Sequence, residues 1–168
     1  SDLEYNKPLI IVDSVFSQPL ALERYRSRSR VRLTGDWFSY AMAPDAAKDA
    51  PLEISLDASA AEIAKGLDLN WIFVNGNVEL TDMKISTLLE MSDTTFLGTV
   101  YLNRSKIDGG VLLQRVKVSR NVYLDNAEVA QNLDFMEESG TFDLPNLLAR
   151  MEIRAGIDLE AQCKAACR

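Results

Sequence analysis

Gly66-Leu67-Asp68-Leu69-Asn70-Trp71-Ile72-Phe73-Val74-Asn75-Gly76 is the first of six consecutive eleven-residue blocks. The other five read NVELTDMKIST, LLEMSDTTFLG, TVYLNRSKIDG, GVLLQRVKVSR and NVYLDNAEVAQ, and begin at residues 77, 88, 99, 110 and 121. Block position 2 holds Leu67, Val78, Leu89, Val100, Val111 and Val122. Position 4 holds Leu69, Leu80, Met91, Leu102, Leu113 and Leu124, and position 9 holds Val74, Ile85, Phe96, Ile107, Val118 and Val129. Position 7 is small or apolar throughout: Ile72, Met83, Thr94, Ser105, Val116 and Ala127. A period this regular marks a repeat architecture.

Within each block the apolar residues alternate, first at 2 and 4, then at 7 and 9. Each pair is a short strand with two inward side chains and one outward between them. The steps between strands run five residues, then six. Two blocks therefore close four sides, and one coil takes 22 residues. An amphipathic helix needs apolar residues at i, i+3, i+4 and i+7, which the blocks lack. Eleven is also a coiled-coil period, but richness in Val, Ile, Thr and Gly favours strands. The fold class expected is all-β, a quadrilateral solenoid with short helical caps. Gly76, Gly98 and Gly109 at position 11 suit corners of positive φ.

Outside the six blocks the pattern weakens. Asn132-Leu133-Asp134-Phe135 opens a seventh block. With two inserted residues, Met151 and Ile153 become positions 7 and 9 of an eighth, and Gly156-Ile157-Asp158-Leu159 repeats the Gly66 opening. Residues 143–152 read either as a half-coil or as a helix capped by Asp143. Ser59-Ala60-Ala61-Glu62 has the form of a helical capping box, but residues 55–65 fit another block equally, with Leu56, Ala58, Ala61 and Ile63 inward. Three regions result: a non-repetitive region 1–54 packing on the solenoid, the solenoid at 55–160, and a cap helix at 161–168. In the first, Leu9–Phe16 reads as a strand, Pro19–Tyr25 as a helical turn and Tyr25–Leu33 as a strand with four Arg on one face. Trp37–Met42 reads as an apolar cover for the solenoid's end, and Ala43–Pro51 as a loop.

The form G-x-L-x-L-x-x-x-x-I-x-G, as in Gly66-Leu67-Asp68-Leu69 to Gly76, resembles the pentapeptide-repeat-like solenoids of bacteria. Positions 4 and 9 match that family's central inward residue, and positions 2 and 7 its smaller one. The extra residue in every second side departs from the family pattern. The resemblance covers about 95 of the 168 residues. It implies a right-handed quadrilateral β-helix and no single activity, because fold does not set function.

The composition narrows the chemistry. The chain has 168 residues, a net charge of −7 and no His, which excludes Ser-His-Asp and Cys-His catalysis and histidine metal sites. The acidic balance argues against general nucleic-acid binding. No apolar run reaches the length of a transmembrane segment. Cys163 and Cys167 give at most two metal ligands, so no cofactor or metal is expected. Compartment, oxidation of these cysteines and a leader before Ser1 stay open. Residues 66–160 hold 8 basic and 15 acidic side chains, so the excess negative charge lies in the repeat.

Residues 22 apart stack about 4.8 Å from each other, the strand spacing, and this defines surface columns. Asp68, Glu90, Leu112 and Asp134 form an acidic column; Glu79, Tyr101 and Tyr123 form the opposite one. Tyr101, Tyr123, Asp68, Glu90, Leu112 and Asp134 are the candidate partner-binding residues, because exposed aromatics favour interfaces and an acidic strip suits a basic partner. The competing reading is a solvated charged face and a stabilising tyrosine ladder. Trp71 and Phe73 are expected beneath residues 1–54. The Arg26/Arg28/Arg30/Arg32 run is expected to pair with the acidic solenoid. No catalytic constellation is expected. The leading function is a non-enzymatic bacterial scaffold for an unidentified protein partner. The alternatives are a DNA-mimicking solenoid, self-association through solenoid ends or edges, and an enzyme with its site between residues 1–54 and the repeat.

Overall fold

The computed structural model describes residues 4–38 and 53–131, together with the strands Leu133–Met136, Met151–Ile153 and Ile157–Asp158. These residues form four parallel sheets, the sides of a β-solenoid. Sheet A stacks Glu4–Tyr5, Arg26–Ser27, Glu62–Ile63, Lys84–Ile85, Lys106–Ile107, Ala127–Val129 and Met151–Ile153. Sheet B stacks Leu9–Val12, Val31–Thr34, Leu67–Asp68, Leu89–Ser92, Val111–Gln114, Leu133–Met136 and Ile157–Asp158. Sheet C holds Val15–Phe16, Trp37–Phe38, Phe73–Val74, Thr95–Phe96 and Lys117–Val118. Sheet D holds Leu20–Ala21, Ile54–Asp57, Asn77–Glu79, Val100–Tyr101 and Val122–Tyr123. The chain visits the sheets in the order A, B, C, D, and Leu67 pairs with Leu89, which pairs with Val111, at the expected 22-residue step.

The eighteen inward positions of the six blocks point into one core. Leu69, Val74, Val78, Leu80, Leu89 and Phe96 are completely buried, and Val122 is packed at its margin. Where position 7 is polar, its hydroxyl bonds a carbonyl of the neighbouring coil. Thr94 Oγ1 donates to Leu69 O at 2.9 Å and Ser105 Oγ to Leu80 O at 2.6 Å. Asparagines serve as the backbone's partners at the corners: Asn70 Oδ1 accepts from Ser92 N at 2.8 Å, and Asn103 Oδ1 from Asp125 N at 3.0 Å. These bonds satisfy buried backbone groups at the corners.

The corners use their residues differently from expectation. Gly76, Gly98 and Gly109 do not adopt positive φ. They are small because the coils approach closely there: a Cβ on Gly98 would strike the carbonyl of Gly76, and one on Gly109 that of Thr87. The left-handed residue is at position 6, occupied by Trp71, Asp82, Asp93, Arg104, Arg115 and Asn126 at φ between 52° and 59°. This conformation recurs every eleven residues and closes the B–C and D–A corners. Its backbone N–H still bonds the next coil, as from Trp71 to Ser92 O at 2.9 Å and from Arg104 to Asp125 O at 2.9 Å.

Residues 4–38 are not a separate region lying on the solenoid. They build its first coil and three sides of its second: Leu9 pairs with Val31, which pairs with Leu67, and Val15 with Trp37, which pairs with Phe73. Leu20 pairs with Leu56, 36 residues on, so the C–D corner of the second coil carries fourteen extra residues. Pro19–Tyr25 contains the strand Leu20–Ala21 rather than a helical turn. The arginine run is likewise not one strand: Arg26 lies on sheet A and Arg32 on sheet B, with a corner between them.

Of the two readings of residues 55–65, the solenoid block is the one formed: Ser59–Glu62 holds a D–A corner and the start of the strand Glu62–Ile63, with Leu56, Ala58, Ala61 and Ile63 buried. Asp57 Oδ1 accepts from both Ser59 N at 2.9 Å and Ser59 Oγ at 2.6 Å, which holds the corner in a tight turn. Burial of Ala58, Ala61 and Ile63 outweighs the local helical signal. Among the described residues there is no helix. Met151–Ile153 pairs with Ala127–Val129, and Ile157 with Leu133, in the register of the eighth block and the repeated opening. The cap helix at 161–168, residues 39–52 and residues 143–150 lie outside the described residues.

Candidate functional site

Each sheet presents one outward column, and the candidate residues fall on opposite sides of the prism. On sheet B the outward order is Ile10, Arg32, Asp68, Glu90 and Leu112, and Asp134 pairs with Leu112 in register. Asp68 is nearly covered, its side chain 8% exposed, because Arg32 Nε donates to its Oδ2 at 2.9 Å. The acidic strip is therefore closed at one end by a cation from the same chain. Leu112 interrupts it before Asp134. The expected pairing of the arginine run with acids of the solenoid holds for Arg32 with Asp68 and for Arg26 with Glu62, at 3.5 Å.

On sheet D, Glu79, Tyr101 and Tyr123 stack in register. The two rings lie 5.4 Å apart at 14°, half-buried against each other. This is the geometry of an aromatic pair that stabilises adjacent strands. It leaves one edge of each ring to solvent.

The largest exposed apolar groups are elsewhere. Val15, Trp37 and Phe73 are successive outward residues of sheet C. Val15 is 74% and Trp37 51% exposed, and the Trp37 and Phe73 rings lie 4.6 Å apart. Trp71, at the left-handed position of the adjoining corner, is 64% exposed. The expectation that residues 1–54 bury Trp71 and Phe73 fails for Trp71, while Phe73 is half-buried with its ring against Trp37, because Leu9–Val12, Val15–Phe16 and Trp37–Phe38 stack beside these residues as strands instead of lying over them. A signal was present in the sequence. Phe73 occupies position 8, an outward position, while Val15 and Trp37 are its register partners in coils that the block pattern had not reached.

The two left-handed corners are electrostatic ladders. At the B–C corner Trp71 Nε1 donates to Asp93 Oδ2 at 2.9 Å, and Arg115 Nη2 to the same oxygen at 2.6 Å. Hydrogen bonding from Arg115, with a smaller contribution from Trp71, holds the Asp93 carboxyl down to about 2. At the D–A corner Arg104 grips Asp82 through Nε at 2.8 Å and Nη2 at 2.6 Å, which lowers the Asp82 carboxyl and raises the guanidinium. On sheet A the outward column is Arg26, Glu62, Lys84, Lys106 and Glu128.

Asp36 is the one charged side chain at an inward position among the described residues, and it is 1% exposed. Its Oδ1 accepts from Ser14 N at 2.8 Å, and its Oδ2 has no protein partner. Burial raises this carboxyl, against the Ser14 bond and assisted by the nearby Asp13 charge. It is sealed in the core and offers no surface to a substrate. Among the described residues, no group of three or more Asp, Glu or Cys is placed to hold a metal ion. No helix there is long and apolar enough to cross a membrane. No family model, curated protein or solved structure matches the chain.

Proposed function

We propose that the protein is a non-enzymatic scaffold that docks a protein partner on sheet C and its B–C corner. The observation carrying this reading is the concentration of Val15, Trp37, Phe73 and Trp71 on one side of the solenoid, while the central columns of sheets A and B are mainly charged. Exposed aromatics on a rigid, flat surface bury large area at little entropic cost and are enriched at interface hot spots. The partner that fits has an apolar contact region rimmed by basic groups, because the chain carries −7. The five-plus-six rhythm and the inward central residues support placing the fold as a variant of the bacterial pentapeptide-repeat solenoids.

A second reading, self-association through the ends, is favoured by the first coil. Its strands end all four sheets, and Ile10 and Val12 beside Val15 are about half exposed or more. The acidic column of sheet B supports DNA mimicry less, since Arg32 occupies Asp68. The enzyme alternative has less support, because residues 4–38 are hydrogen-bonded coil on coil with the repeat instead of arching over it.

The test is affinity recovery with wild type, Trp37→Ala/Trp71→Ala and Tyr101→Ala/Tyr123→Ala chains, followed by direct titration of the recovered protein. Loss of binding with the tryptophan pair and retention with the tyrosine pair is expected. Equal binding by the tryptophan variant removes sheet C as the docking face. Loss with the tyrosine pair alone moves that face to sheet D. A molecular mass that stays monomeric across a concentration series removes self-association.

A further inference from the structure

Sheet A carries an anomaly in its charge order. Down its outward column the signs alternate, Arg26 to Glu62 to Lys84, until Lys84 meets Lys106 in direct register. This is the one register pair of two cations among the described residues. Like charges on facing positions of adjacent strands repel. Lys84 Nζ reaches Glu62 at 3.2 Å and Lys106 Nζ reaches Glu128 at 3.8 Å, so each ammonium leans away from the other toward its own carboxylate. The divergence opens space between them.

That space belongs to a groove of about 450 Å³. Its shape follows from the A–B corner column, where Ala64 and Ser86 are short between Arg28 and Asp108. Long side chains of the sheet A column, including Arg26, Lys84 and Lys106, stand beside the two short ones. Four cations line the groove against the two carboxylates of Glu62 and Asp108. In a chain of net charge −7, this is a local reversal of sign. The volume is within the range of small-molecule sites.

We infer that this groove binds a compact multivalent oxyanion of the phosphate class, held between Lys84 and Lys106 with the Ser86 hydroxyl beneath. The roots of the two lysine side chains lie about 4.8 Å apart, the strand spacing, so both flexible ammonium groups can swing from their carboxylates onto oxygens of one phosphoryl group. Arg28, which also lines the groove, supplies a planar fork to a second phosphoryl group. Glu62 competes for Lys84 and Arg26 and so limits affinity. The site does not depend on sheet C, so it stands or falls separately from the docking reading.

Calorimetric titration with inorganic pyrophosphate at low ionic strength tests the assignment. Saturable single-site binding that weakens with added salt is expected. Lys84→Gln with Lys106→Gln should lower affinity about tenfold or more, the worth of one or two charge-assisted hydrogen bonds. Glu62→Gln should tighten binding, and Lys84→Arg with Lys106→Arg should retain it. An unchanged unfolding midpoint in the glutamine pair shows that the loss is local. Absence of saturable heat, equal affinity in the glutamine pair, or a response to long-chain polyphosphate with pyrophosphate silent each overturns the assignment.

Discussion

Asp36 shows what a single residue costs this fold. Its column runs Ser14, Asp36, Ile72 and Thr94, and only Asp36 carries a charge into the core. The charged form is penalised in the folded state, so the folded pKa lies above the unfolded value of 3.8. Folding therefore binds a proton as pH falls. This contribution to stability is fully present below 3.8 and is lost as pH rises through the folded pKa. Asp36→Asn keeps an oxygen for Ser14 N and removes the charge, and should stabilise the protein at pH 8 by about 1 kcal/mol. Urea unfolding of both chains at pH 8 and just below pH 3.8 checks this; a stability gap that does not narrow at the lower pH refutes it. The same residue hid the second coil from sequence reading. Val31, Leu33 and Phe38 stand at positions 2, 4 and 9 of a block beginning at Arg30, with a carboxylate where the pattern asks for a small or apolar group. Tyr25 and Ser27 disguise the block before it in the same way.

The corner ladders carry the chemistry at the scale of elements. A left-handed residue every eleven positions aims its side chain along the solenoid's edge, where a residue 22 positions away can reach it. Asp93 thus accepts from both Trp71 and Arg115. Its folded pKa is below the unfolded one, so its stabilisation is present above 3.8 and lost as pH falls through about 2. Arg115→Met should cost about 0.5 kcal/mol at pH 7, the ordinary worth of a partly exposed ion pair. That cost should shrink below about pH 4, where the unfolded carboxyl is already protonated. Equal costs at pH 7 and pH 3 would contradict the ladder's role. These corners were only half legible. The columns Asp82/Arg104 and Asp93/Arg115 follow from the 22-residue step, but the positive φ does not. Asp and Asn favour that conformation, whereas the Trp and Arg sharing position 6 conceal it. Glycine at position 11 drew the eye to a corner where the constraint is contact between coils.

For the molecule as a whole, stacking makes each coil depend on its neighbours alone. Leu9, Ile11, Phe16 and Leu20 of the first coil are partly buried, whereas Leu69, Val78 and Leu80 of the third are sealed. Local opening should therefore begin at the first coil. Amide exchange of Asp13 and Leu22, bonded to Thr34 O and Asp57 O, should be faster than that of Leu69 and Leu80, bonded to Glu90 O and Tyr101 O. Uniform protection across these amides would instead mean one cooperative unit. The architecture at this scale was the most legible part, because eighteen inward positions repeat a physical requirement. The sheet C patch was least legible, since exposure depends on which strands lie beside it. The fourteen residues added between sheets C and D of the second coil have a further consequence. Pairing resumes beyond them with Asn77 against Ile54 and, after a one-residue bulge, returns to the 22-residue step with Val78 against Leu56. Such a protein has two independent ways to grow in evolution. Duplicating a coil lengthens its axis, and widening a corner adds new surface sideways, without either change disturbing the register of the other.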